Sequence, residues 1–152
     1  MKPMRPRTAV RAAATVAATM AATVAAAQDA GATLYDQQCA VCHAAKGEGI
    51  PGFAPRLAGE LGARAAKASG REYFAQLVVS GMMGPIVSGG EKYNDAMPAF
   101  ASLPDGQLVA ILGYVLGELN GVAPEHRVSA QDLAAARQRA LAPNEVRKLR
   151  DR

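Results

Sequence analysis

The sequence predicts an all-α protein built from short helices that are joined by long loops. Apolar side chains recur at helical spacing in several segments, and no segment alternates convincingly between apolar and polar residues. Fifteen glycines and nine prolines among 152 residues indicate loop-rich wrapping rather than long regular elements. Only seven residues are aromatic, and with so few large apolar side chains a small domain cannot easily assemble a sizeable core from side chains alone. We therefore expect another body to fill the middle of the fold.

Residues 1–27 have the pattern of a secretory signal peptide. A basic segment of 11 residues is followed by an alanine-rich apolar stretch that ends in three alanines before Gln28. This stretch is shorter and less apolar than the roughly 20 residues that cross a bilayer, and an uncleaved membrane anchor is the alternative. We expect cleavage before Gln28 and a location outside the cytoplasm, in an oxidising bacterial periplasm.

The charge of the chain is concentrated in that signal. The full sequence carries a net charge of +4, but four basic residues lie in residues 1–27 and no acidic residue precedes Asp29. The remaining chain is neutral in sum, with a net charge of −3 over residues 28–123 and +3 over residues 124–152. The net positive charge of the full sequence therefore gives no reason to expect a nucleic-acid partner.

Helical segments follow one another along the rest of the chain. Residues 81–101 are interpreted as a long loop, because five glycines and prolines precede Ala96 there. Pro104 opens the last helix of the main domain, residues 28–123. The predicted helices cover about residues 31–43, a turn within 60–68, 71–80, 104–121, 129–141 and 143–149.

Residues 124–152 form a separate C-terminal helical extension in this interpretation. Ser129 and Asp132 have the spacing of a capping box, which begins a helix. We expect a solvated, partly frayed terminus. The alternatives are that the basic extension folds back on the acidic domain or that it grips a partner.

The two cysteines of the chain are Cys39 and Cys42, and His43 follows at once in the string CAVCH. Positions i, i+3 and i+4 share one face of a helix, so both thiols and the imidazole point the same way. Thiols at this separation can form thioether bonds to the vinyl groups of one haem, with the adjacent imidazole as proximal iron ligand. A structural disulfide or a thiol–disulfide exchange pair is the alternative.

A haem of this kind needs a second axial ligand or an open site. Met97 is followed by Pro98, which restricts the backbone at Met97 towards extended geometry and lets a loop project the thioether inward. We predict that Met97 is this ligand. The other candidates are Met82, Met83 and His126, of which His126 is interpreted as an exposed side chain.

These residues resemble the class I c-type cytochromes over about Gly31 to Asn120. In that family a glycine and an aromatic residue stand eight and four positions before the first haem cysteine, here Gly31 and Tyr35. Their usual partners on the last core helix correspond to Ile111 and Tyr114. The resemblance implies a cytochrome c-like fold of about four or five short helices wrapped around one covalently bound haem c. The extension lies beyond the usual end of that fold.

Further matches to the family imply roles for the remaining site residues. The family's loop after the haem histidine contains Pro-x-Leu, here beginning at Pro55, whose carbonyl would accept a hydrogen bond from His43. The family's Met-Pro-x-Phe string begins here at Met97. Arg56 and Tyr93 are candidates for contacts with the haem propionates. The apolar segment 82–86 is interpreted either as a docking rim or as core beneath the haem.

The function implied is one-electron transfer through an exposed haem edge, by an electron carrier rather than an enzyme. The expected partners are redox proteins: a dehydrogenase or respiratory complex as donor, and an oxidase or reductase as acceptor. Membrane contact is expected only through such a partner or through an uncleaved signal. The alternatives are a cytochrome subunit of a dehydrogenase complex, attached by the extension, and a haem sensor or peroxidase with an open distal site.

Overall fold

The computed structural model describes residues 30–151, so the predicted signal peptide lies outside the described residues. The elements are α1 (residues 30–38), α2 (Ala40–His43), α3 (Gly62–Ala65), α4 (Ala68–Ser80), β1 (Ile86–Ser88), β2 (Glu91–Tyr93), α5 (Asp105–Gly113) with a π-helical turn (Tyr114–Glu118), a 3-10 turn (Pro124–His126), α6 (Ala130–Arg139) and α7 (Pro143–Arg150). The predicted mostly helical fold is confirmed. Within the described part of the chain, no helix has the length and apolarity needed to cross a bilayer.

The helix predicted over residues 31–43 is interrupted at Cys39. The amide of Cys39 still bonds to the carbonyl of Tyr35, at 2.8 Å, but the amide of Cys42 bonds three residues back to the Cys39 carbonyl, at 3.1 Å. This tighter turn separates α1 from α2. Residues 30–123 thus contain five α-helices, α1 to α5, in agreement with the four or five short helices that were expected for the fold.

The prediction that residues 81–101 form one long loop is wrong in part, because they contain an antiparallel hairpin. Ile86 pairs with Tyr93 and Ser88 with Glu91, so that β1 and β2 are joined by two glycines. Gly89 and the residue after it both have positive φ, 58° and 83°, as the tight turn of a two-residue hairpin requires. Strands of only three residues are too short to show a period-two pattern, which is why the sequence did not reveal them.

Helices α1 and α5 cross in close contact at Gly31. A Cβ atom on Gly31 would collide with the carbonyl oxygen of Ala110 and would lie 3.2 Å from Cβ of Tyr114. The rings of Tyr35 and Tyr114 lie 5.3 Å apart, and Tyr35 is buried together with Ile111. The contacts that the family resemblance implied for Gly31 and Tyr35 are therefore present, and they hold the two helices together.

The C-terminal extension packs against the rest of the protein. Helices α6 and α7 both lie on α4, and they bury Leu133, Ala136, Val146 and Leu149 in the main apolar core. The capping box of Ser129 is present at the start of α6. The expected frayed terminus is thus wrong for α6 and α7, because the extension carries apolar side chains that α4 covers.

Opposite charges align where the extension meets the domain. Arg137 of α6 forms an ion pair of 2.7 Å with Asp105, and its guanidinium also donates to the carbonyl oxygens of Ala101 and Leu103. Arg139 pairs with Glu72 of α4. The basic extension and the acidic domain therefore fold back on each other, which was one of the alternatives.

Candidate functional site

A cavity of about 390 Å³ lies between α2, α4 and the loops on either side of the hairpin. All five residues predicted for the site line it: Cys39, Cys42, His43, Pro55 and Met97. Much of the wall is apolar and comes from Leu57, Leu61, Leu77, Ile86, Pro98 and Phe100. Its volume and its apolar lining are typical of cofactor sites.

The CAVCH segment forms one wall of this cavity. Cys39 and Cys42 are half-buried, are not joined in a disulfide, and open on the same space as the imidazole of His43. Burial raises the pKa of the Cys39 thiol to about 11, and the neighbouring Cys42 adds to the shift. Cys39 is therefore a neutral thiol at physiological pH. The helical spacing correctly predicted that the three side chains share one face.

His43 is buried and held in one orientation. Its Nδ1 atom lies 2.9 Å from the carbonyl oxygen of Pro55, the contact that the family resemblance implied. A protonated Nδ1 donates this hydrogen bond, which leaves Nε2 as the nitrogen available to a metal. Burial lowers the pKa of His43, against the opposing effect of the Pro55 contact. The imidazole is therefore kept neutral, the form that binds metal ions.

The loop that carries Pro55 depends on glycine. The amide of Gly49 bonds to the carbonyl of His43 at 2.9 Å, and Gly49 has a φ of 74°. A Cβ atom on Gly49 would lie 2.6 Å from the amide nitrogen of Arg56. A larger residue would therefore push the loop away from His43.

Met97 lies beside Met82 in another wall of the cavity. The two residues form an isolated antiparallel bridge, with N–O distances of 2.9 and 3.0 Å. Gly81 permits this bridge, because a Cβ atom there would lie 2.6 Å from the Met97 carbonyl oxygen. In the sequence, Gly81 closes the helix predicted over residues 71–80, where a glycine is a common signal for a sharp change of direction, but nothing in the sequence indicated the bridge between Met82 and Met97.

The two methionine sulfurs have different surroundings. The hydroxyl of Tyr73 donates to Sδ of Met82 at 3.7 Å, whereas no hydrogen bond to Sδ of Met97 occurs among residues 30–151. This difference favours Met97 as the second axial ligand, which stays a prediction. Neither Met83 nor His126 lines the cavity; both are exposed.

Three charged or phenolic side chains that are at least half-buried in the cavity wall were not predicted. Arg64 and Arg150 are half-buried, and Tyr73 is buried beneath the guanidinium of Arg64. Burial raises the pKa of Tyr73, and the charges of Arg150 and Arg64 oppose that effect. Of the predicted propionate contacts, Tyr93 is a buried wall residue and Arg56 an exposed one. Sequence alone gave no signal for Arg150, because only folding brings α7 to the cavity.

The mouth of the cavity has an apolar rim. Val41, Phe53 and Val87 all line the cavity, yet they are 79, 47 and 56 % exposed. The two methionines of the segment 82–86 have different environments, which the sequence did not predict. Met82 is buried in the cavity wall, whereas Met83 is 50 % exposed and lies outside the lining.

The residues present fit a haem. Two thiols and a neutral imidazole form one wall, and a methionine thioether lines the same cavity. The apolar side chains between them suit a large flat macrocycle, and the half-buried arginines suit the carboxylates at its edge. Cys39 and Cys42 would hold the group covalently, with His43 as the axial nitrogen ligand.

Comparisons with known proteins agree with this cofactor. A family model described as cytochrome c oxidase, cbb3-type, subunit III matches residues 26–115. One cytochrome c-552 of Thermus thermophilus is 37% identical over 123 residues, which cover 79% of this chain and 82% of that protein. A second cytochrome c-552 of Thermus thermophilus is 37% identical over 119 residues, which cover 76% and 90%.

Proposed function

This chain belongs to the class I monohaem c-type cytochromes, and we propose that it acts in the periplasm, carrying single electrons between two redox proteins. Membership of the family makes it an electron-carrier cytochrome with covalently bound haem c rather than an enzyme. When bound, the haem supplies the one-electron couple of ferric and ferrous iron. The partners and the compartment are the parts of the proposal that need experiment.

The observation that carries the proposal is the meeting of His43 and Met97 at one apolar cavity. The Pro55 carbonyl orients His43, and the bridge to Met82 orients the Met97 loop. If His43 and Met97 both held the iron, no coordination position would be left for a substrate, and their fixed orientation would keep the structural change on electron transfer small. The apolar side chains of the wall would limit the access of water to a cofactor held between them.

Carbon monoxide tests this arrangement against the sensor or peroxidase alternative. If Met97 caps the site, the reduced haem-loaded protein shows little immediate change in its absorption spectrum when carbon monoxide is added. The variant Met97→Ala should bind carbon monoxide at once, and Met83→Ala, a change outside the cavity, should behave as the unsubstituted protein. Rapid binding by the unsubstituted protein would support an open distal site.

The compartment is tested by fractionating the native host. We expect osmotic shock to release a haem-stained protein whose intact mass corresponds to residues 28–152 plus one haem. A haem-stained protein that stays with the membranes and retains residues 1–27 would instead indicate an uncleaved anchor.

A second candidate function is that of a cytochrome subunit in a respiratory oxidase. The description of the matching family model as subunit III of a cbb3-type oxidase favours it. The extension gives less support to a role as an attachment arm, because Leu133 and Val146 are buried inside the protein itself. Purification of the native protein under mild conditions separates the two functions: a free carrier migrates alone, and a subunit migrates with an oxidase.

Docking of a redox partner is assigned to the apolar rim of Val41, Phe53 and Val87. Transient electron-transfer contacts are small, and an exposed apolar patch at the cofactor edge is where they form. Val41→Glu should slow oxidation of the reduced protein by membranes of the host several-fold while its potential changes little. Met83→Glu places the same charge on an exposed apolar residue away from the cavity and serves as the control. Equal slowing by both variants would contradict this docking face.

A further inference from the structure

Arg64 and Arg150 meet at the wall of the haem cavity although they lie 86 positions apart in the sequence. Arg64 belongs to α3, next to the cytochrome core, and Arg150 ends α7 in the C-terminal extension. Both side chains are half-buried. The extension therefore supplies a charged residue to the cavity of the domain on which it packs.

Arg64 is held in place by its surroundings. Its guanidinium carbon lies 5.3 Å from the centre of the Tyr73 ring, and Nη1 donates a hydrogen bond to the carbonyl oxygen of Arg150. The absence of a side chain at Gly70 allows α4 to begin directly against the Arg64 backbone, where a Cβ atom would collide with the carbonyl. These contacts direct the guanidinium to one wall.

Arg150 is placed by the packing of α7. Val146 and Leu149 are buried against α4, which fixes the rotation of the helix and brings Arg150 to the cavity. The other basic residues of α7 lie elsewhere. Lys148 is exposed, and Arg147 pairs with Asp151 at 3.7 Å outside the haem cavity.

Neither arginine belongs to an ion pair that the structure describes within residues 30–151. Those pairs join Arg137 to Asp105, Arg139 to Glu72 and Arg147 to Asp151. The carboxylates of Glu60 and Asp95 also line the cavity, but both side chains are exposed. A half-buried guanidinium is stabilised by an anion that it can bind through parallel hydrogen bonds. The haem that this cavity accepts carries such anions, its two propionates.

We propose that Arg64 and Arg150 bind the propionate carboxylates of the haem, so that the C-terminal extension is part of the cofactor site. This assignment replaces the sequence-based candidate Arg56, which is exposed. It rests on the haem site alone and is independent of the compartment and of the partner proteins. Positive charge at the propionates favours ferrous over ferric iron, because reduction removes one positive charge from the centre. The two arginines therefore raise the reduction potential.

The test measures the midpoint potential of the haem-loaded protein at neutral pH. Arg150→Gln and Arg64→Gln should each lower the potential. Lys148→Gln, which removes the same charge from an exposed position of the same helix, should change it much less. Arg150→Lys should keep the potential close to that of the unsubstituted protein, since it restores the charge at this position. Circular dichroism and haem staining establish that each variant is folded and loaded.

Two outcomes would overturn the proposal. One is a potential in Arg150→Gln that equals the value in Lys148→Gln. The other is a potential in Arg150→Lys that falls as far as in Arg150→Gln, because packing rather than charge would then be responsible. Should Arg150→Gln fail to fold, Arg64→Gln decides the matter, since the backbone carbonyl of Arg150 and the whole of α7 are unchanged in it.

Discussion

The Nδ1 atom of His43 lies 2.9 Å from the carbonyl oxygen of Pro55, twelve positions further along the chain. This contact sets the tautomer of the imidazole, and burial keeps the ring neutral. The loop reaches this position because Gly49 adopts a positive φ and lies against the backbone of Arg56. The orientation of the proximal ligand thus depends on a glycine six residues away as well as on the CAVCH string.

Acid should destabilise the folded protein through His43. Its pKa is lowered in the folded state by burial, and a bond from Nε2 to the haem iron would lower it further, whereas in the unfolded chain the imidazole is open to solvent and is protonated more readily. The unfolded state therefore binds more protons in acid, and stability that is present near neutral pH falls as the pH decreases. Guanidinium unfolding of the haem-loaded protein between pH 7.5 and about 4.5 measures the effect. His126→Gln, at an exposed histidine, should leave the profile unchanged; if it removes the decrease, His43 is not the cause.

Substitution of Gly31 should destabilise the crossing of α1 and α5. A Cβ atom there collides with the Ala110 carbonyl, so Gly31→Ala should reduce the free energy of unfolding by about 1–3 kcal/mol. Gly113→Ala is the matched control, because a Cβ atom at Gly113 meets nothing within 4 Å. That variant should be neutral or more stable by up to about 1 kcal/mol, since alanine favours a helix. A loss of the same size in both variants would show that close packing at Gly31 is not the reason.

Truncation of a buried side chain in the extension should be costly. Leu133 of α6 is fully buried against the core, so Leu133→Ala should lower the free energy of unfolding by about 2–5 kcal/mol. Gln138→Ala, at an exposed position of the same helix, should change it by no more than about 0.5 kcal/mol. Denaturant titration of the haem-loaded protein measures both. A frayed terminus would give a negligible change for Leu133→Ala.

Arg137 should contribute more than Arg139 to the free energy that holds α6 on the rest of the protein. The Arg137 guanidinium contacts Asp105 and the carbonyls of Ala101 and Leu103, in the segment that follows the Met97 loop. Loss of these charged hydrogen bonds in Arg137→Ala should cost about 1–3 kcal/mol of unfolding free energy. Arg139→Ala breaks only the ion pair with Glu72, which is largely exposed, and should cost less than about 1 kcal/mol. Similar losses in thermal or denaturant unfolding would contradict this difference.

Local patterns were sufficient for most helices and for the wall of the cavity that the CAVCH segment forms. Cys39, Cys42 and His43 share a face because helical periodicity is a property of adjacent residues, and Ser129 caps α6 for the same reason. The hairpin was missed because its strands have three residues each. The break at Cys39 was missed because a single residue carries it.

By itself, the sequence determined the chemistry: a thiol pair with an adjacent imidazole, a methionine before a proline, and an aromatic-poor chain that needs a large apolar cofactor. Only the tertiary structure decided that Met82 is engaged by Tyr73, and that α6 and α7 pack on α4 instead of fraying. It also brought Arg150 to the cavity beside Arg64. These are contacts between residues far apart in the chain, and their free energies depend on how buried surfaces fit together. Composition and spacing do not contain that information.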